Sequence, residues 1–373
     1  MNRRKRFFIA LMLAFLLISA VGGKTIRLGV MLPLHNDNGD GRRMVEYYRG
    51  VLMACDSLKK SGINIDVHAW NTPEDCNVKE VLQDPAAAQC NMIIGPLYSR
   101  QIRALSDFVA QHDIKLLIPF SITAPPLYTN PNIYQVYQNN NDVNSRTISS
   151  FMTQFKDYHP VVIDCNDSTS KKGSFTFGLR RKLEERGIAY NLTNLKSGEE
   201  AFYKAFSADR PNVVILNSGR HQELGVAVAK LNGLKAVHPE LNISLFGYTE
   251  WLGYTRLYLD AFYRYDTYVP APFYTNLSAS ATQRLQQKYR WSFHQDMQQM
   301  LPRFALTGFD HAMFFLSGLN AHGKAFNGEA AQSSYKYVQT PLQFERIGNG
   351  GFRNRTLLLV HYQPNQRVEI INK

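Results

Sequence analysis

Residues 91–128 read NMIIGPLYSRQIRALSDFVAQHDIKLLIPFSITAPPLY. Met92 to Ile94 is a short apolar run stopped by Gly95-Pro96, the pattern of a buried strand that ends abruptly. Ile102, Leu105, Phe108 and Val109 then recur at three- and four-residue spacing, which gives a helix one apolar face. Leu116 to Ile118 is a second buried strand, stopped by Pro119. A strand, helix and strand of these lengths form a βαβ unit, and a βαβ unit implies a parallel sheet. Two loops leave the same edge of that sheet: Gly95-Pro96-Leu97-Tyr98-Ser99 and Phe120-Ser121-Ile122-Thr123-Ala124-Pro125. Open α/β sheets bind ligands at that edge. Two readings of the loops stand side by side. Ser99 caps its helix and Thr123 shapes a turn, or the hydroxyls and the helix N-terminus hold a carboxylate.

Outward from this unit the same rhythm repeats. Thr25 to Leu32 is a first strand, with a helix expected from about Arg42 to Lys60 after a polar loop at His35–Arg43. Ile63 to Trp70 alternates like a strand. The run Asn139-Asn140-Asn141-Asp142 marks a crossing, and the βα alternation restarts beyond it through Val161–Asp164, Ile188–Leu192, Val213–Leu216 and Ile243–Phe246. Helices are expected at 279–293 and 306–319. Extended runs at 335–346 and 355–362 flank Gly348-Asn349-Gly350-Gly351, a hairpin signal. The fold class is α/β, with two doubly wound parallel-sheet lobes joined by a multi-crossing hinge. Lobe 1 is expected to hold 24–140 and 271–330, and lobe 2 to hold 141–270 and 331–373. A hinge of that kind serves to close a cleft on a ligand.

The ends and the charge bound the function. Arg3, Arg4, Lys5 and Arg6 precede an apolar run from Phe7 to Ala20 and the pair Gly22-Gly23. This is the pattern of a secretory signal peptide cleaved before Lys24, with an uncleaved anchor as the alternative. The net charge is +12 over 373 residues, and removing those four basic residues leaves +8. The basic residues are scattered, without the aromatic-interleaved block of a nucleic-acid surface. Cys55, Cys76 and Cys90 lie close in the sequence, and export permits one disulfide among them. Cys165 ends a strand and reads as a free core residue.

Enzyme signatures are missing. No nucleophile elbow, phosphate-binding loop, dinucleotide glycine motif or metalloprotease helix occurs, and the histidines show no metal-ligand spacing. His221 and His311 read as structural. Asp310 and His311 are neighbours on one helix and point about 100° apart, so they do not form a dyad. No catalytic residue, metal or cofactor is expected. What remains is a ligand site. Tyr98, Ser99, Ser121 and Thr123 are its candidates from the first lobe. From the second come the loop after Asp164, the 217–221 loop and the strand end at Thr249-Glu250-Trp251. Glu250 beside Trp251 suits an ammonium group, or Glu250 merely occupies the first turn of the next helix.

The pieces IRLGVMLPL, IIGPLYS, IPFSITAP, FGYTEW and LTGFDHAMFFLSGL resemble the type I periplasmic binding proteins, specifically the leucine/isoleucine/valine-binding branch. The resemblance spans nearly the whole chain after residue 23. It implies that Ser99 and Thr123, with Ser121, hold an amino-acid carboxylate and that Glu250 receives the amine. It also implies a periplasmic location and an ABC transporter as partner. Arg220 stands where the family often has an aromatic. The family's first-lobe disulfide would join Cys76 to the position of Tyr98, so that bridge does not carry over. IIGPLYS and IPFS also resemble a related branch found beside LysM modules and in activators of penicillin-binding proteins, which act in envelope assembly.

Overall fold

The computed structural model describes residues 25–333 and 335–372. The expected signal peptide lies outside the described residues. Two compact units divide the chain. The first runs to Tyr134 and takes Gly308–Lys336 and Arg346–Phe352; the second takes Gln135–Thr307, Tyr337–Glu345 and Arg353–Lys373. The chain therefore passes from one unit to the other several times. Residues 271–307, expected with lobe 1, belong to the second unit, and 346–352, expected with lobe 2, belong to the first.

Each unit is built on a seven-stranded sheet. The first sheet contains β1 (Ile26–Leu32), β2 (Ile65–Asn71), β3 (Met92–Ile94), β4 (Lys115–Ile118) and β5 (Ile133–Gln135), with β11 (Phe344–Arg346) and β12 (Phe352–Asn354) at one edge. Its order is β11-β12-β5-β4-β3-β1-β2, and β1 pairs in parallel with both β2 and β3. The second sheet contains β6 (His159–Asp164), β7 (Asn191–Asn194), β8 (Asn212–Leu216), β9 (Ile243–Phe246), β10 (Thr267–Ala271), β13 (Leu358–Tyr362) and β14 (Val368–Asn372). Its order is β14-β13-β10-β9-β8-β6-β7. There β13 runs antiparallel to β10 and β14, and β6, β7, β8 and β9 pair in parallel. In both sheets the order reverses at the first strand of the unit, between β1 and β3 and between β6 and β8. Loops at the carboxyl ends of those strands diverge there and leave a crevice.

The stretch at residues 91–128 folds as its pattern dictates. Met92, Ile93, Ile94, Leu116, Leu117 and Ile118 are fully buried, and the helix Ile102–His112 buries Ile102, Leu105 and Val109. Other elements shift by a few residues. The first helix runs Gly39–Lys60, not from Arg42, because the Asn38 side chain accepts from the Gly41 N–H and caps it three residues earlier. The hairpin around Gly348 forms between β11 and β12. Its second arm is 352–354, while the expected 355–362 arm contributes β13 to the other sheet. All four cysteines are free thiols, so the disulfide expected among Cys55, Cys76 and Cys90 is absent. Burial pushes the Cys55 thiol up to about 12 and the Cys90 thiol up to about 11. Both serve as small core residues of the first unit.

Asp310 and His311 turn to different partners, as neighbours on a helix must. Asp310 accepts from the Tyr335 hydroxyl at 2.6 Å, and His311 Nδ1 meets the Tyr47 hydroxyl at 2.8 Å. His311 Nε2 has no hydrogen-bond partner. Full burial drives the His311 pKa down to about 3 from 6.5. The unfolded chain then binds the proton first. The stability this neutral ring contributes is complete above pH 6.5 and is lost as the pH falls towards 3. Between pH 6.5 and 5.5 the unfolding free energy of the native chain should fall by about 1 kcal/mol more than that of a His311→Gln variant. Parallel urea curves at the two pH values check this, and equal falls would show that the ring is not held neutral by burial.

Candidate functional site

In the first unit the expected residues gather at the β1/β3 crevice. β3 and β4 end side by side, so the Tyr98-Ser99 and Ser121–Thr123 loops meet. Ser99 and Ser121 hydroxyls are 2.9 Å apart, Ser121 Oγ donates to the Thr123 carbonyl at 2.8 Å, and the Thr123 N–H returns to Ser121 Oγ at 3.2 Å. A serine has one hydroxyl proton. Either hydroxyl can be the donor of the Ser99–Ser121 bond, and the pair is tied to the Thr123 backbone through Ser121. Ser99 does not cap its helix. A 3₁₀ turn at Ser99–Gln101 precedes Ile102 and has no side-chain cap. The Tyr98 hydroxyl donates to Asp40 at 3.3 Å. Burial, then the Asp40 charge, raises its pKa. Asp40 also pairs with Arg43. An open groove of about 560 Å³ lies beyond, with His35, Asp37, Glu74 and Arg100 on its walls. None of the expected residues lines it.

In the second unit the β6/β8 crevice holds a denser polar set. Asp167 and Ser170 follow β6, and Ser218 and Arg220 follow β8. The Asp167 carboxylate accepts from Thr169 Oγ1 at 2.6 Å, from the Thr169 N–H at 3.0 Å and from Ser218 Oγ at 2.8 Å. Those bonds, led by the Thr169 hydroxyl, hold its pKa down to about 2. Arg220 spans Asp167 at 3.4 Å and Glu223 at 3.6 Å, and also donates to Thr169 and Gln222. Its guanidinium is already committed to side chains of its own unit.

Glu250 and Trp251 part company. Trp251 is fully buried, stacked on Phe262 with ring centres 5.8 Å apart. It belongs to the core, not to the site expected for it. On the 3₁₀ turn Thr249–Tyr254 successive side chains point about 120° apart, so one enters the core while the other faces out. Glu250 occupies the first turn and receives an ammonium, but from Lys172, 2.6 Å from its Oε1. The same ammonium lies 4.6 Å from the centre of the Tyr248 ring. Carboxylate and aromatic face together are what an amino-acid amine requires, and a lysine of this chain holds that place. Both partners are partly exposed, so Glu250→Gln is expected to cost no more than about 1 kcal/mol in urea unfolding. A larger cost would mean that the pair supports the loops around it.

Lys172 and Asp167 fall in the loop singled out after Asp164, but the sequence does not distinguish them from its other polar residues. The Asp-x-Thr turn at Asp167–Thr169 is the available signal. Asp40 escapes a local reading because its partner Tyr98 lies 58 positions away. Among the described residues no group of three or more His, Cys, Asp or Glu side chains can hold a metal ion.

No protein-family model matches the sequence, and no curated protein matches it. Solved structures do. A Rhodospirillum rubrum protein provisionally assigned to branched-chain amino acid ABC transport is 14% identical and superposes with a TM-score of 0.63, covering 93% of this chain and 100% of its own. An ABC transporter substrate-binding protein from Sphaerobacter thermophilus is 14% identical, with a TM-score of 0.52 and coverages of 94% and 97%. The chain has the type I periplasmic-binding-protein fold. Full-length LpoA from Haemophilus influenzae is also similar, at 15% identity and a TM-score of 0.57; 94% of this chain matches 59% of that one. The type I fold accounts for the paired doubly wound sheets, the repeated crossings and the antiparallel β13, second from the edge of the second sheet. At these identities the likeness carries the fold alone. Among the described residues no helix is long and apolar enough to cross a membrane.

Proposed function

We propose that this chain acts outside the cytoplasm as a non-enzymatic module of the cell envelope, and that it uses the type I fold without capturing a free amino acid. The observation that supports this most is the Lys172–Glu250 pair, which fills the amine position with the chain's own ammonium. The Ser99–Ser121 hydrogen bond, which turns the two loop hydroxyls towards each other, supports it from the other unit. The resemblance of IIGPLYS and IPFS to the envelope-assembly branch, and the similarity to LpoA, agree with a partner that is an envelope-assembly protein. The signal-peptide pattern of residues 3–23 supports a periplasmic location.

A second reading is a solute receptor that hands an amino acid or similar zwitterion to an ABC transporter. The TM-score of 0.63 to the Rhodospirillum protein favours it. The two separate in a strain lacking the chain. The envelope reading expects unchanged uptake of labelled amino acids and lowered resistance to cell-wall inhibitors. Loss of uptake of one amino acid with resistance intact would overturn it.

A further inference from the structure

At the amino ends of β1 and β4, away from the β1/β3 crevice, lies a cavity of about 170 Å³. It is lined from the sheet and from the end of the helix Phe304–His322. Ile26 and Leu319 give it an apolar wall, and Asn91 and Lys115 give it a polar one. It opens past Asn320 and Lys324, both exposed. Every residue that lines it belongs to the first unit, and none belongs to the sites described above.

Three charged side chains line this cavity, and two of them are taken up by each other: Lys324 pairs with Asp113. Lys115 is the third. It is half-buried, and its Nζ donates to the Tyr134 hydroxyl and to the Lys324 carbonyl, each at 3.3 Å. The Tyr134 hydroxyl gives its own proton to the Phe326 carbonyl at 3.1 Å, so towards Lys115 it is an acceptor. Among the described residues Lys115 therefore rests on two neutral oxygens and near the Tyr134 ring, whose centre is 5.4 Å away. Burial, opposed in part by the Asp113 charge, lowers its pKa from 10.5. An ammonium has three protons, so one remains for a ligand. Asn91 offers a second donor. Its Oδ1 is taken by the Arg27 N–H at 2.8 Å, which leaves its NH₂ group. A half-buried cation resting on neutral oxygens costs free energy, and an anion beside it offsets that cost. The volume is close to the roughly 150 Å³ of an engineered cavity that takes up benzene, which is room for about six carbon atoms.

We propose that this cavity binds a small organic carboxylate, with Lys115 and the Asn91 NH₂ group on the carboxylate and a short apolar body against Ile26 and Leu319. This is independent of whether the crevices bind a solute. The probe is hexanoate, titrated calorimetrically into the native chain, with hexanol and acetate in parallel. Hexanoate should bind saturably. Hexanol lacks the charge and acetate lacks the apolar body, so each should bind at least tenfold more weakly. Lys115→Met keeps the length of the side chain and removes the charge. It should weaken hexanoate at least tenfold and leave hexanol unchanged, a difference that a loss of packing alone would not produce. Asn320→Phe fills the mouth of the cavity from an exposed position and should abolish hexanoate binding. It should melt like the parent, so it tests the site even if Lys115→Met does not fold. Absence of saturable hexanoate binding at millimolar concentration would overturn the proposal. So would hexanol or acetate binding as tightly as hexanoate, or undiminished hexanoate binding by either variant, since the ligand would then lie elsewhere or be held without the charge.

Discussion

Gly95→Ala is expected to destabilise the first unit by about 3 to 5 kcal/mol, a large effect for the addition of a single methyl group. Gly95 ends β3 at the crevice and has φ +140, a backbone conformation that L side chains rarely adopt. A Cβ at that position would lie 2.1 Å from the Met31 carbonyl oxygen. That oxygen belongs to β1, whose neighbours on both sides hold it in register, so it cannot retreat as a flexible side chain would. Strain at the residue costs of order 1–3 kcal/mol, and displacing a packed strand costs about as much again. A melting temperature lower by roughly 10 °C follows. Gly62→Ala is the control. It has φ +85 but nothing within 4 Å of the added methyl, so only the strain remains. If Gly95→Ala melted within a degree or two of the parent, the close approach of β3 to β1 would be wrong.

Trp251→Ala should cost about 3 to 5 kcal/mol, the range for removing a buried aromatic. The indole is stacked on Phe262, meets Tyr248 edge-on at 6.2 Å and lies across Gly247. Truncation leaves a cavity that three rigid neighbours cannot fill. Trp251→Phe keeps most of the contact and should cost distinctly less. The contrast with Glu250 separates core from site: adjacent residues, one worth several kcal/mol and the other at most about one. Comparable urea midpoints for Trp251→Ala and Glu250→Gln would mean that the turn does not divide the two side chains between core and solvent.

The same pair shows how far the sequence can be read. Strand ends, and hence the loops at the crevices, follow from apolar runs stopped by Gly or Pro, and these are legible at Ile94-Gly95-Pro96 and Ile118-Pro119. The side on which a loop residue points depends on the turn it adopts, and nothing in Thr249-Glu250-Trp251 declares a 3₁₀ turn. Ser99 is readable as a member of its loop, but its hydroxyl goes to Ser121, a contact between separate loops that no local pattern records. Cysteine spacing suggests a bridge, but Cys55 and Cys90 are packed into the core, Cys76 is only partly buried, and all three are free thiols. The arms of the Gly348 hairpin are easily misassigned because Phe352–Asn354 and Leu358–Tyr362 are both extended runs with apolar residues. Only their partners, in different sheets, tell them apart. Lys172 and Glu250 lie 78 positions apart, and a pairing at that distance follows from topology alone.

If the chain's own lysine holds the position an amino-acid amine would need, free amino acids should find no site there. Calorimetric titration of the native chain with each of the twenty amino acids measures this without an intermediary. Lys172 must leave Glu250 before a zwitterion can bind there, so no titration should reveal affinity tighter than about 1 mM, a free energy near 4 kcal/mol. Micromolar binding of one amino acid, lost in Glu250→Ala and in Thr123→Ala, would contradict the occupied site and restore the solute receptor.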